Sequence, residues 1–117
     1  MNLSKRVEYN NKLEYYTMHL LIINPFLPVK LHPKEIEVLA CFMSLSGDLV
    51  ETDRLCKSAR KEVRDRLGLS YGGLGNYIKT LSQKGFLKYT EEGYAYIPSL
   101  LQPNGIEQGY NFKITLK

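Results

Sequence analysis

Residues 55–87 decide the fold, and they read LCKSARKEVRDRLGLSYGGLGNYIKTLSQKGFL. The first half predicts a basic helix whose apolar residues recur every four positions and form one ridge. These residues are Leu55, Ala59, Val63 and Leu67. After a Gly-Leu-Ser turn, the second half predicts another amphipathic helix, which ends where Lys-Gly-Phe-Leu opens a strand. The stretch therefore predicts two short helices joined by a tight turn and followed by a strand.

Three residues mark the predicted helix ends. Gly68 suits the left-handed backbone conformation that ends many helices, and Gly85 predicts the same ending for the second helix. Ser70 is a favourable N-cap, because its hydroxyl oxygen can accept a hydrogen bond from the first turn of the helix that follows. The inward residues of that helix are expected to be Leu74, Leu81 and either Ile78 or Tyr77.

Flanking segments complete the predicted domain. Upstream, a helix is expected to begin at Pro33, where the missing amide hydrogen of proline is harmless. Residues 49–52 predict either a short strand or a connector. Downstream, strand-like residues 86–89 and 94–97 enclose Thr-Glu-Glu-Gly, a pattern typical of a hairpin. The result is three helices and one hairpin.

The two ends of the chain predict one further element each. Residues 13–23 are apolar and favour a helix, which Asn24-Pro25 would end. Residues 110–116 alternate between apolar and polar side chains and predict a closing strand. A single helical turn is expected at residues 99–101. The chain is thus expected to be mainly α with a small β-sheet, an α+β fold.

We divide the sequence into three parts. Residues 1–30 form an N-terminal arm and helix, residues 31–97 form the central domain, and residues 98–117 form a C-terminal extension with the closing strand. The length of 117 residues suits one modest hydrophobic core.

Positive charge concentrates in the central domain. The whole sequence has a formal net charge of +4, yet residues 54–88 alone hold nine basic and two acidic side chains, a net charge of +7. The remainder of the chain sums to −3. A charged helix face can simply be solvated. Because this charge coincides with the two predicted helices, we favour contact with nucleic acid.

Two short motifs in residues 31–97 carry a family resemblance. One is the Leu-Gly-Leu-Ser turn at 67–70, and the other is the exit Lys-Gly-Phe-Leu at 84–87. With them the sequence resembles winged helix-turn-helix domains of bacterial and bacteriophage regulators. Residues 31–39 resemble the first helix of that domain, with His32 where the family usually has threonine. The whole chain is similar to small bacteriophage proteins. The resemblance implies three core helices and a β-hairpin wing, to which this chain adds an N-terminal helix and a C-terminal strand.

The resemblance also implies which residues meet DNA. In such domains the second helix of the motif enters the major groove and its early residues contact base edges. The base-reading candidates are Ser70, Tyr71, Asn76, Lys79 and Thr80. Asn76 suits an adenine edge, whereas Lys79 suits guanine or phosphate. The candidate phosphate contacts are Lys57, Arg60, Lys61, Arg64, Lys84 and Lys88.

Two features argue against close base reading. Gly72, Gly73 and Gly75 offer no side chain to a base, and each costs the helix about 1 kcal/mol relative to alanine. The wing tip carries Glu91 and Glu92, which phosphate repels. We therefore expect double-stranded DNA to be held largely through its backbone, as by a phage or bacterial transcriptional regulator. The alternative is a winged-helix module that docks on protein, in a phage particle or on a polymerase.

The reactive side chains do not predict a metal site or a catalytic site. His19, His32, Cys41 and Cys56 are too scattered for a zinc site, and no catalytic triad, nucleotide loop or pair of catalytic carboxylates can be argued. We expect no enzyme activity, no metal and no cofactor.

Weaker features of the sequence indicate the cellular compartment of the protein. Two cysteines without a paired spacing favour a reduced, cytoplasmic setting, which is the host cytoplasm or a virion if the chain is phage-encoded. The apolar run at 18–23 is too short to span a membrane. If the protein forms a homodimer or joins a larger assembly, residues 13–23 and 110–116 are the expected contacts.

Overall fold

The computed structural model describes residues 4–117. Five α-helices and two strands are described in chain order: α1 (Lys12–Ile23), α2 (Pro33–Ser44), α3 (Asp48–Thr52), α4 (Lys57–Leu67), α5 (Tyr71–Gln83), β1 (Lys88–Tyr89) and β2 (Ala95–Tyr96). Single turns of 3-10 helix lie at Asn24–Phe26 and Ser99–Leu101. A mainly helical chain with one small antiparallel sheet confirms the predicted α+β class.

Helix α2 occupies the centre of the core. Six successive residues from Val38 to Met43 are buried, so other elements surround the helix. Helix α1 packs along it, and both α4 and α5 contact it as well. Leu20 of α1, Val63 of α4 and Leu81 of α5 are fully buried beside it. The two helices of the predicted motif are therefore seated on α2 through their apolar ridges.

The turn between α4 and α5 has the predicted geometry. Gly68 adopts the left-handed conformation at φ 64° and ψ 36°. Ser70 caps α5, because its Oγ accepts the backbone N–H of Gly73 at 3.0 Å. At the other end of α5, Gly85 has φ 82°. These predictions of helix ends are confirmed, as are the start of α2 at Pro33 and the helical turn at Ser99–Leu101.

The hairpin is shorter than predicted. Strands β1 and β2 pair Lys88 with Tyr96 and Tyr89 with Ala95. Phe86 is instead drawn into the end of α5, where its N–H donates to the Leu81 carbonyl at 2.9 Å. Because that contact buries Phe86 at the helix end, the strand begins only at Lys88.

Two elements differ in kind from their predictions. Residues 49–52 belong to helix α3, since the N–H of Glu51 reaches back to the Gly47 carbonyl and closes a helical turn. The closing strand at 110–116 is wrong, because no described strand lies beside that segment to pair with it. Its first residues are held by side chains instead: the Tyr110 hydroxyl bonds to His19, and Phe112 stacks on Phe26 at 5.1 Å between ring centres.

Candidate nucleic-acid interface

Helix α4 carries a stripe of positive charge that leads toward α5. Lys57, Arg60 and Arg64 follow one another at intervals of three and four residues, which places them along one side of the helix. Within residues 4–117, none of the three has an acidic partner at ion-pair distance. The Arg64 guanidinium lies 5.3 Å from the ring centre of Tyr71, the first residue of α5. We call Lys57, Arg60 and Arg64 the cationic stripe.

The other charges of α4 are paired within the helix. Arg66 Nε lies 2.8 Å from Glu62 Oε1, and Lys61 Nζ lies 3.7 Å from Asp65 Oδ2. Both pairs have an i to i+4 spacing and stand at the surface, where such pairs are weak. Lys61 remains exposed next to the cationic stripe and can exchange its partner, whereas Arg66 faces a different side of the helix.

Helix α5 exposes a ridge of small and polar residues. Spacings of four, three and four residues line up Gly72, Asn76, Lys79 and Gln83, and all four are exposed. Helix α5 contains no acidic residue. The Asn76 amide and the Lys79 ammonium are therefore presented outward from a helix face that does not repel an anion. We call these four residues the outer ridge.

The glycines of α5 leave part of the helix backbone bare. A Cβ atom added at Gly72 or Gly75 would meet nothing within 4 Å, so packing inside this chain does not require either glycine. Gly73 differs, because a Cβ there would lie 3.0 Å from the capping Oγ of Ser70. Bare backbone at Gly72 and Gly75 permits a partner to approach the helix more closely than any other residue type would allow.

Three of the predicted contact residues already serve the fold. Ser70 Oγ caps α5, as described above. The Thr80 hydroxyl lies 3.0 Å from Glu35 Oε2 and can donate to it. The Lys84 ammonium forms an ion pair with the Glu35 carboxylate and donates to the Lys30 carbonyl at 2.9 Å. These three polar groups are directed toward other parts of the chain.

The buried carboxylate of Glu35 joins α2 to α5. Burial raises the pKa of Glu35, but hydrogen bonds from Lys84, the His32 N–H and Thr80 outweigh it and hold the pKa below its ordinary value. Sequence reasoning missed this residue. The spacing from His32 to Glu35 is a capping-box signal that would have placed the carboxylate at the helix start. No local pattern connects it to Lys84.

The remaining candidates lie apart from the α4–α5 surface. Lys88 is exposed on β1, and the turn that follows β1, the predicted wing tip, exposes Glu91 and Glu92. Arg54, which counts toward the local positive charge, donates to the Leu45 carbonyl at 2.9 Å and so helps to close the end of α2. The described surface is thus positive along α4 and α5 and negative at the wing tip.

A shallow cavity of about 410 Å³ lies between the start of α2 and α5, lined among others by His32, Glu35, Asn76 and Lys84. Residues 4–117 bring no three metal-ligating side chains together. Nor does this part of the chain contain a helix with the length and apolar character needed to cross a bilayer. Comparisons with protein-family models, curated proteins and solved structures found no match.

Proposed function

We propose that this chain is a small DNA-binding protein of the winged helix-turn-helix type, acting as a phage or bacterial transcriptional regulator. The observation that carries the proposal is the cationic stripe of α4, which has no acidic partner among the described residues and leads to the exposed outer ridge of α5. Positive charge without a partner beside a helix that lacks acids favours a polyanionic ligand.

The order of elements supports this architecture. Helices α2, α4 and α5 correspond to three core helices, and the β1–β2 hairpin follows α5 in the position of a wing. Helix α5 has 13 residues and is about 20 Å long. A helix of that size fits a major groove about 12 Å wide.

The contacts divide into two kinds. Lys57, Arg60, Lys61 and Arg64, with Lys88 on the wing, supply the phosphate contacts that fix position. Asn76 and Lys79 supply the base-edge contacts, with Tyr71 beside Arg64 at the start of the helix. Ser70, Thr80 and Lys84 contribute less than the motif implies, because their polar groups are engaged within the chain. Binding is therefore dominated by the DNA backbone.

A salt series tests this function. Binding of the full chain to a random-sequence duplex, followed by fluorescence anisotropy, should weaken with salt. With about five phosphate contacts, the slope of log affinity against log salt is expected to lie near −4 to −5. Replacement of Arg64 by alanine should reduce the magnitude of that slope by about 1, because one phosphate contact is lost.

Arg66→Ala is the matched control. It removes the same charge from the same helix, but from a side chain that is paired with Glu62 and lies off the cationic stripe. DNA binding with unchanged salt dependence is expected for this variant. Absence of binding at low salt, or equal losses for Arg64→Ala and Arg66→Ala, would contradict the proposal.

A second function is favoured by a separate observation. The wing tip exposes Glu91 and Glu92, and the rest of the hairpin exposes Tyr89, Tyr94 and Tyr96. Acidic and aromatic side chains together suit a protein surface better than phosphate. A winged-helix module that docks on protein, in a phage particle or on a polymerase, is therefore the alternative. It predicts a protein complex that survives Arg64→Ala but is lost when Glu91 and Glu92 are replaced by lysine.

A further inference from the structure

We propose that residues 113–117 of one copy of this chain add as a third strand to the free edge of β1 in a second copy, and that reciprocal exchange makes a homodimer. This interface lies at the wing and the C-terminus and does not depend on DNA binding. Four observations support it: an open sheet edge, an unpaired segment with strand character, complementary charge, and an anchor that holds the residues before the segment on their own chain.

The two edges of the β1–β2 hairpin differ in their hydrogen bonding. On the β2 side, the Ala95 carbonyl accepts the Arg54 N–H, and the Ala95 N–H donates to Asp53 Oδ1, both at 3.0 Å. That edge is closed. Tyr89 pairs with Ala95 in the register, between two hydrogen-bonded pairs, so its own N–H and C=O point away from β2. No hydrogen-bond partner for them is found within residues 4–117, and an edge of this kind is a template for another strand.

The C-terminal segment has the character of a strand without a partner. Ile114 and Leu116 alternate with polar residues, and their side chains are essentially fully exposed, at 102% and 99%. Thr115 between them is β-branched, which also favours a strand. Residues 113–117 form no regular structure in the single chain. Pairing would cover both apolar side chains and satisfy the segment's backbone.

The charges of the two segments favour the hairpin as the place where residues 113–117 add. The segment carries Lys113 and Lys117 and no acidic side chain. The hairpin carries Glu91 and Glu92 at the turn that follows β1, both exposed, against one exposed lysine, Lys88, on β1 itself, so its net charge is negative. Lysines approaching two carboxylates are attracted, and the acidic tip, which would repel phosphate, gains a partner within the dimer.

The residues before the segment hold it on its own chain. Tyr110 bonds to His19 of α1, and Phe112 stacks on Phe26 just after α1. Residues 113–117 can extend about 17 Å, long enough to cover a short edge strand. A second copy offers the same edge and the same segment, so reciprocal exchange closes both open edges with two-fold symmetry.

Sedimentation equilibrium of the full chain tests this interface. The wild type should form a dimer. Reversing the wing charges with Glu91→Lys and Glu92→Lys, or the tail charges with Lys113→Glu and Lys117→Glu, should weaken the dimer about tenfold in each case, because two attractive pairs become repulsive at each of the two exchanged strands. Combining both reversals should restore most of the wild-type affinity. Glu51→Lys, an exposed charge change on α3, is the control and should leave the dimer unchanged.

The substituted side chains are all exposed, so circular dichroism should show an unchanged fold for every variant. Hydrogen exchange shows whether the free edge of β1 is paired. The Tyr89 amide should exchange more slowly at dimer-forming concentrations than in dilute solution. A monomer at the highest soluble concentration would overturn the inference. So would a dimer that responds to the tail reversal but is not restored by the wing reversal, since the segment would then bind a different surface or a different protein.

Discussion

The α4–α5 region, residues 57–85, and the terminal layer, which consists of α1 with residues 102–117, reach their structures by different means. In the first region, Gly68 and Ser70 end and begin helices with their own backbone and side-chain atoms. In the second, the predicted strand at 110–116 is absent although its alternation is clear. A helix closes its hydrogen bonds within itself, whereas a strand needs a neighbour. Local sequence therefore decides the first case and not the second.

The two regions also differ in the surface that they present. The α4–α5 region turns charged and polar side chains outward, with the cationic stripe as its main feature. The terminal layer contains aromatic contacts, among them Tyr15 with Tyr16 at 5.4 Å, and its Phe112 stacks on Phe26, just after α1, at 5.1 Å. The proposed contact with DNA uses the first region, and the proposed dimer uses the end of the second together with the hairpin.

The largest expected effect lies where the α4–α5 region is attached to α2. Lys84→Ala removes the cation from the buried Glu35 carboxylate, and loss of one partner of a buried ion pair costs about 3 kcal/mol. The free energy of unfolding from a urea titration measures it. Lys79→Ala, in the same helix but exposed, is the control and should change stability by less than about 0.5 kcal/mol. Equal effects in the two variants would show that the ion pair does not hold the region in place.

The terminal layer should respond to pH through His19. Burial lowers the pKa of His19 below its ordinary value of 6.5, and the hydrogen bond to the Leu101 carbonyl offsets only part of that lowering. Below pH 6.5 the unfolded chain therefore takes up a proton that the folded chain does not. The stability that neutral His19 contributes is complete above that pH and declines as the pH falls, by at most about 1.4 kcal/mol per pH unit.

Urea titrations across this range measure the effect, and His19→Gln is the control because it cannot titrate. The stability of this variant should depend less on pH than that of the wild type between about pH 7.5 and pH 5.5. The same slope in both proteins would assign the acid sensitivity to other groups.

The smallest expected effect is the change in stability when glycines of α5 are replaced by alanine. Gly72→Ala should stabilise the chain by about 0.5–1 kcal/mol, because alanine is the better helix former and its Cβ meets nothing within 4 Å. Its affinity for duplex DNA should fall, since the added methyl group stands between the helix backbone and the DNA. Gly73→Ala should gain less stability, because its Cβ would crowd the Ser70 cap. Thermal unfolding and anisotropy on the same samples measure both quantities. Unchanged DNA binding by Gly72→Ala would exclude close approach at this position.

Most of the fold was predictable where the signal was local. The ends of α4 and α5, the start of α2 and the turn at Ser99–Leu101 follow from proline, glycine and serine at positions where their backbone preferences or caps are decisive. Residues 49–52 were missed because a helical turn of five residues has too few positions to show a period. The strands were predicted too long, because the Phe86 N–H closes the end of α5 on the Leu81 carbonyl and Phe86 is buried there.

The candidate site was predictable in part for the same reason. The spacing of Lys57, Arg60 and Arg64 places them on one side of a helix in any structure that contains the helix. The engagement of Thr80 and Lys84 was not visible, because Glu35 lies 45 and 49 residues away from them in sequence. A count of charges treats every lysine alike. It does not show which lysine forms an ion pair with a buried carboxylate.

Local sequence is enough to predict two helices around a left-handed glycine in residues 55–87, with positive charge along the first of them. Helical period, caps and the i to i+4 ion pairs of α4 act over a few residues, so they are expected in any structure that contains these helices. Tertiary structure, in contrast, pairs Lys84 with the buried Glu35, surrounds α2 with other elements, and leaves residues 110–116 without a strand partner in the single chain. Each of these depends on atoms brought together from distant parts of the sequence, where burial and the presence of a hydrogen-bonding neighbour decide the outcome.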